Sequence, residues 1–212
     1  HKFFMQNSIA PLSESEKRVL GVVLRREGLS QPVIARETGF AQQSVSRLVN
    51  SLLARGALHE IDRLPSGRRG QPSMQVRVSA KFAYTVGVAL MSDAISLALM
   101  DFSGSIVEIE QHAMQAMSRS LVVERIKESL DRVITKHRIN RSRVFGCGVG
   151  VSGYSLGGSG RFNTVRSLDD WALVNIEEIL TAELGVAVWA ENDGNAAAVG
   201  ESLVGAGRTH AS

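Results

Sequence analysis

Residues Ala190–Glu201 read AENDGNAAAVGE. An acidic and amide cluster, Glu191, Asn192 and Asp193, follows the apolar run VAVWA. Gly194 loosens the backbone, and an alanine-rich helical stretch takes over at once. Asp193 stands where a helix N-cap is expected, since a short carboxylate can accept from the free amides of a first turn.

Outward from this junction, strands and helices alternate. NIEEILTAELG reads as a helix and RVFGCGVGVSG as a buried strand. SLVVERIKESLDRVITKH reads as a helix with Leu121, Ile126, Leu130, Val133 and Ile134 on one side. AYTVGVALM, AISLALMDF and SIVEIEQHAM are apolar runs broken by MSD and SG turns, the pattern of an antiparallel meander. The class predicted for residues 81–212 is therefore α/β with a mixed sheet. Gly148, Gly150 and Gly153 spell G-x-G-x-x-G after a strand, with Asp169 and Asp170 near the spacing of a ribose-binding acid. The dinucleotide reading fails on context, because YSLGGSGRFN offers no helix to aim its N-terminus at a pyrophosphate.

The first third has another character. SESEKRVLGVVLRREG places Leu20, Val23 and Leu24 on one helical face, entered through Ser13 or Ser15 and closed by Gly28. SQPVIARETG reads as a short second helix, with Ser30 as cap, Pro32 in the first turn and Gly39 beyond the end. AQQSVSRLVNSLLARG carries an apolar stripe at Val45, Leu48, Val49, Leu52 and Leu53. Its other face shows Gln42, Gln43, Ser44, Ser46, Arg47 and Asn50, side chains suited to a DNA major groove: Gln pairs with adenine, Arg with guanine, and hydroxyls reach phosphate. LHEID and MQVRV then alternate as half-buried strands around the loop RLPSGRRGQPS, whose Arg63, Arg68 and Arg69 lie among glycines and prolines. Three short helices and a basic hairpin are the pattern of a winged helix-turn-helix, with the wing arginines available to the minor groove or phosphate.

Charge divides the same way. Residues 1–80 hold twelve Lys/Arg against six Asp/Glu, a balance of +6, whereas residues 81–212 hold twelve against fifteen, a balance of −3. Only the front is expected to meet a polyanion. The single cysteine, Cys147, sits in an apolar run, which excludes a disulfide framework and suits a reducing compartment. No apolar stretch approaches membrane-spanning length, and the first residues have no signal-peptide pattern, so a cytoplasmic location is expected. The chain opens at His1 without a methionine and stops at GRTHAS, which reads as the edges of a longer protein. One cysteine and five scattered histidines offer no metal-ligand spacing.

Taken together, the helix-turn-helix and wing, SGRRGQPS leading to VGVAL, then GVGVSG and AENDGNAAAVGE, resemble the ROK family of bacterial sugar kinases and sugar-responsive repressors, in its regulator branch. The resemblance implies a winged helix-turn-helix at 1–80 followed, over 81–212, by the first lobe of an actin-like (ribonuclease H-like) sugar-kinase fold. It implies that Asn192 and Asp193 line a sugar pocket, with Glu191 and the Gly153 loop beside them. The aspartate is the base that deprotonates the attacked hydroxyl in the kinases. A carboxylate accepts from adjacent sugar hydroxyls, an amide both donates and accepts, and a helix start favours negative charge.

Departures from the family pattern set the expected function. The acid of the kinases' phosphate loop is Ala89 here, and Met91, Ser92 and Asp93 replace its Gly-Gly-Thr. A methyl group cannot hold magnesium, and an added carboxylate repels a nucleotide, so phosphoryl transfer should be absent. The family's loop proline is Ser152, and GGSGRFNTVRSLDDW aligns only loosely, through Leu168 and Trp171. Any structural zinc, and the family's later sugar contacts, would lie beyond Ser212. The resulting expectation is a homodimeric repressor that binds operator DNA and a sugar or sugar derivative, with no cofactor within these residues. Its rivals are an active sugar kinase carrying a DNA-binding domain and a regulator controlled by a protein partner.

Overall fold

A computed structural model describes residues 11–26, 28–61, 74–157 and 160–203. The chain divides into two compact units, one over Ala10–Phe82 and the other containing the chain from Ala83 onward.

The first unit is built on three helices, α1 (Glu14–Leu24), α2 (Gln31–Thr38) and α3 (Gln42–Ala54). Ser13 caps α1 in a reciprocal box: the Glu16 amide donates to Ser13 Oγ, and the Ser13 amide donates to Glu16 Oε2. Ser30 occupies the N-cap of α2 without a side-chain bond, and Pro32 lies in its first turn. Gly39, at φ 71°, ends α2 in the left-handed conformation that glycine adopts without penalty and turns the chain into α3. Val19, Leu20, Val23, Ile34, Val45, Val49 and Leu52 are the buried seam between the helices. Leu24 lies outside it at 42% exposure, and Val19 takes the place the sequence pattern gave it. Leu48 and Leu53 flank the seam half-buried.

Behind the helices, β2 (Leu58–Ile61) and β3 (Gln75–Val78) pair antiparallel. A two-residue strand, β1 (Leu29–Ser30), adds to the free side of β3 and gives the order β1-β3-β2. The basic loop between β2 and β3, with Arg63, Arg68 and Arg69, lies outside the described residues.

The second unit is built on a five-stranded sheet ordered β10-β7-β4-β5-β6. Strands β4 (Tyr84–Leu90), β5 (Ala94–Asp101) and β6 (Ile106–Ala113) form the antiparallel meander, and β7 (Val144–Val151) and β10 (Ala187–Asn192) continue it in parallel. A mixed sheet with helices between the later strands is the class predicted for residues 81–212. Alternation sends Val86, Val88, Leu90, Ile95, Leu97, Leu99, Cys147, Val149 and Val151 into one core with α4 (Arg119–Lys136) and α5 (Ile176–Leu184). On α4 the buried stripe begins at Val122; Leu121 is 46% exposed, one position out of phase with its expected place.

Edge strand β10 is stitched to α5. Thr181 Oγ1 accepts from the Val188 amide and Glu177 Oε1 from the Ala190 amide, so two backbone donors meet side chains one helical turn apart. Within the loosely aligned segment, Leu168 and Trp171 are fully buried, and Trp171 Nε1 donates to the Met117 carbonyl at 2.9 Å.

Candidate functional site

Two described regions carry the sequence-predicted site residues other than the wing arginines. On α3, Gln42, Gln43, Arg47 and Asn50 are exposed, while Ser44 and Ser46 are half-buried at the margins. The opposite face of the helix lies in the core, so its polar side points away from the rest of its unit. The turn before it is braced: Thr38 Oγ1 donates to the Ile34 carbonyl at 2.7 Å, and the Arg18 guanidinium lies 5.1 Å from the centroid of the Phe40 ring. At its far end, Arg55 pairs with buried Glu16 on α1 at 3.1 Å. Glu16 also accepts from Ser51 Oγ at 2.9 Å. The Ser13 backbone amide, the Ser51 and Ser13 hydroxyls and the Arg55 charge hold the Glu16 carboxyl below its ordinary pKa despite burial.

The second region is the junction between β10 and α6 (Asp193–Leu203), beside the end of β7. Asn192, not Asp193, caps α6: its Oδ1 accepts from the amides of Gly194 at 3.0 Å and Asn195 at 3.2 Å. The capping role expected for Asp193 thus moves back one residue, because the strand runs through Asn192 and the helix begins at Asp193 itself. With the cap supplied, Asp193 directs Oδ2 to the hydroxyl of Ser152, which donates at 2.7 Å. Its Oδ1 accepts from the Gly194 amide at 2.8 Å. Asn192 Nδ2 donates to the carbonyl of Gly153 at 2.5 Å. Glu191 turns toward the helix, where Oε1 accepts from Asn192 N and Asn195 Nδ2.

The structure thus brings Asn192, Asp193 and Gly153 together and leaves Glu191 occupied with the first turn of α6. It also brings in Ser152, which the sequence reading counted only as a departure; a hydroxyl where the family pattern has proline was the available signal. The glycines of the G-x-G-x-x-G string divide by function in packing. A Cβ on Gly153 would stand 2.6 Å from the Asn163 carbonyl oxygen, and one on Gly150 would touch Asp193 Cα at 3.7 Å. Gly153 itself begins the strand β8 (Gly153–Ser155), which turns back through β9 (Phe162–Thr164) as a hairpin that sequence alone did not suggest.

At the β4–β5 turn, where the kinases carry their phosphate loop, Ala89 is half-buried and the chain reverses through Met91, Ser92 and Asp93. The Met91 amide donates to the Ala94 carbonyl at 3.0 Å, and Ser92 Oγ donates to Asp93 Oδ1 at 3.4 Å. Among the described residues, no group of three His, Cys, Asp or Glu side chains is placed to hold a metal ion, and no helix is long and apolar enough to cross a membrane.

Comparison with known proteins matches both parts of the chain to known families. Residues 85–212 match the ROK family, and residues 10–70 match the MarR family. The xylose repressor of Bacillus spizizenii is 26% identical over 196 residues, which cover 92% of this chain and 50% of that protein. The DNA-binding transcriptional repressor Mlc of Escherichia coli is 22% identical over 175 residues, covering 82% of this chain and 43% of its own. A solved ROK family transcriptional regulator, described as a homolog of the E. coli Mlc protein, has a TM-score of 0.68 at 16% identity, over 90% of this chain and 48% of that one. A ROK family glucokinase from Streptomyces griseus, solved with glucose and AMPPNP, has a TM-score of 0.50 at 26% identity, over 59% of this chain and 38% of that one. The chain spans about half the length of the curated relatives it matches.

Proposed function

The chain belongs to the ROK family, and from that premise we propose that it is the operator-binding and effector-sensing part of a transcriptional repressor without kinase activity. The observation that carries the reading is the solvent-facing row of Gln42, Gln43, Arg47 and Asn50 on a helix whose other side is locked into a three-helix core. A helix so held can enter a major groove as a rigid body and offer bidentate donors to base edges. The wing arginines Arg68 and Arg69 add backbone or minor-groove contacts, and a homodimer matches two half-sites.

In the second unit, Asn192 and Asp193, with Gly153 and Glu191 beside them, receive a sugar or sugar derivative. Xylose and glucose are the first probes, since relatives are named xylose repressors and a structural neighbour holds glucose. Two features support the loss of phosphoryl transfer: Ala89 has no ligand atom for a metal, and Asp93 adds negative charge at the turn.

The test uses the full-length protein. Duplexes selected from a random pool give the operator, and anisotropy titration then compares wild type with Arg47→Ala. A loss of about 1–3 kcal/mol at the selected site, with non-specific binding nearly unchanged, is expected for a base-reading arginine. Unchanged operator affinity would remove Arg47 from the interface. A parallel assay for sugar-dependent ATP turnover should stay at background; sustained turnover would restore the kinase reading.

A further inference from the structure

The end of β7 and the β10–α6 junction are tied at two consecutive residue pairs: Ser152 Oγ to Asp193 Oδ2, and Asn192 Nδ2 to the Gly153 carbonyl. The second tie serves a half-buried amide that also caps the helix. The first is different. It joins a half-buried serine to an exposed carboxylate 41 residues away, where water could satisfy both groups. Such a bond adds little to folding stability, but it removes a freedom from the side chain.

An aspartate at the start of a helix can turn about two side-chain bonds. Here both oxygens are engaged, Oδ1 by the Gly194 amide and Oδ2 by the Ser152 hydroxyl. Each oxygen keeps a second lone pair, so the carboxylate still has acceptor capacity. Ser152 is itself anchored: its carbonyl accepts from the Val165 amide at 3.4 Å, and the next residue is locked into β8 against Thr164. A proline at 152, as in the family pattern, has no donor to offer.

We propose that Ser152 is a positioning residue of the effector site, its hydroxyl holding the Asp193 carboxylate in the orientation that accepts a ligand hydroxyl. The inference rests on the reading of Asn192 and Asp193 as the sugar site. Fixing an acceptor before the ligand arrives lowers the ordering cost of binding. Ser152 thereby becomes a residue of this chain's own specificity rather than a defect in the pocket.

The experiment takes full-length wild type, Ser152→Ala, Ser152→Thr and Asp193→Ala, each confirmed folded by thermal melting. Calorimetric titration with D-xylose and with D-glucose is paired with crystal structures of wild type and Ser152→Ala. The proposal expects Ser152→Ala to bind the recognised sugar about tenfold more weakly with its Tm unchanged, and Ser152→Thr, which keeps the hydroxyl, to return close to wild type. It also expects the Asp193 carboxylate to leave its wild-type position in Ser152→Ala. An Asp193 side chain that stays in place in that variant overturns the proposal whether or not a sugar binds. Equal sugar affinity in wild type and Ser152→Ala does so as well. Failure of wild type to bind either sugar instead counts against the effector-site reading, and the crystallographic comparison still decides the role of Ser152.

Discussion

Glu110, on β6, accepts from Arg132 of α4 through both carboxylate oxygens and lies 3.2 Å from His112 Nε2. The Arg132 hydrogen bonds, chiefly, hold its carboxyl down at about 2 against an ordinary 4.5, with burial opposing. A carboxylate whose folded pKa is depressed contributes stability that is complete above its unfolded value and is lost as pH falls toward the folded one. Chemical denaturation of Glu110→Gln between pH 4.5 and 2 should therefore show a shallower decline than wild type, with a residual slope from Glu16 and Glu108, which are also lowered. An unchanged slope would mean that the pairing with Arg132 is not maintained in solution. Trp171 makes a second residue-scale case. Trp171→Phe keeps most of the buried ring but leaves the Met117 carbonyl without its donor. That should cost about 1–3 kcal/mol in urea unfolding, the penalty for stranding a buried acceptor.

Among the elements, α1 and α3 are joined through one acid. Glu16 closes the capping box with Ser13 and receives Ser51 of α3 and Arg55, which caps the end of α3. Glu16→Ala should destabilise the protein by about 2 kcal/mol, the sum of a lost cap and lost charge-assisted bonds, and a change under about 0.5 kcal/mol in equilibrium unfolding would contradict the clamp. This element was partly legible in advance. The sequence left Ser13 and Ser15 open as the cap, and the structure selects Ser13, whose box closes with Glu16. Periodicity gave every long helix but not always its phase: Leu121 precedes Val122 and Val123, and a run of adjacent apolar residues fits two stripes one residue, about a quarter turn, apart. The strands β1, β8 and β9, two or three residues each, were not visible because so short a run has no measurable alternation. At the site, AENDGNAAAVGE announced the strand-to-helix junction, but which polar residue caps and which is left facing solvent depends on where β10 ends relative to β7. That register is set by pairing between residues 41 positions apart, beyond the reach of any local pattern.

Across the whole molecule, the proposed function requires that a sugar at Asp193 and an operator on α3 alter each other's affinity. Thermodynamic linkage makes the coupling reciprocal: if saturating sugar changes operator affinity by some factor, saturating operator must change sugar affinity by the same factor. A coupling of 1–3 kcal/mol, typical for such systems, corresponds to about 5–150-fold. Operator titrations of the full-length protein at rising sugar concentration should therefore reach a plateau, and sugar titrations with and without operator should reproduce its height. Asp193→Ala separates the two halves of the claim, because it removes the proposed sugar contact while leaving α3 intact. The variant should bind operator as tightly as sugar-free wild type and show no response to sugar. An Asp193→Ala protein that still responded to sugar with the wild-type plateau would place the effector elsewhere. A wild-type protein in which sugar binds tightly but operator affinity does not move would show a ligand with equal affinity for both states, which shifts no equilibrium however firmly it is held.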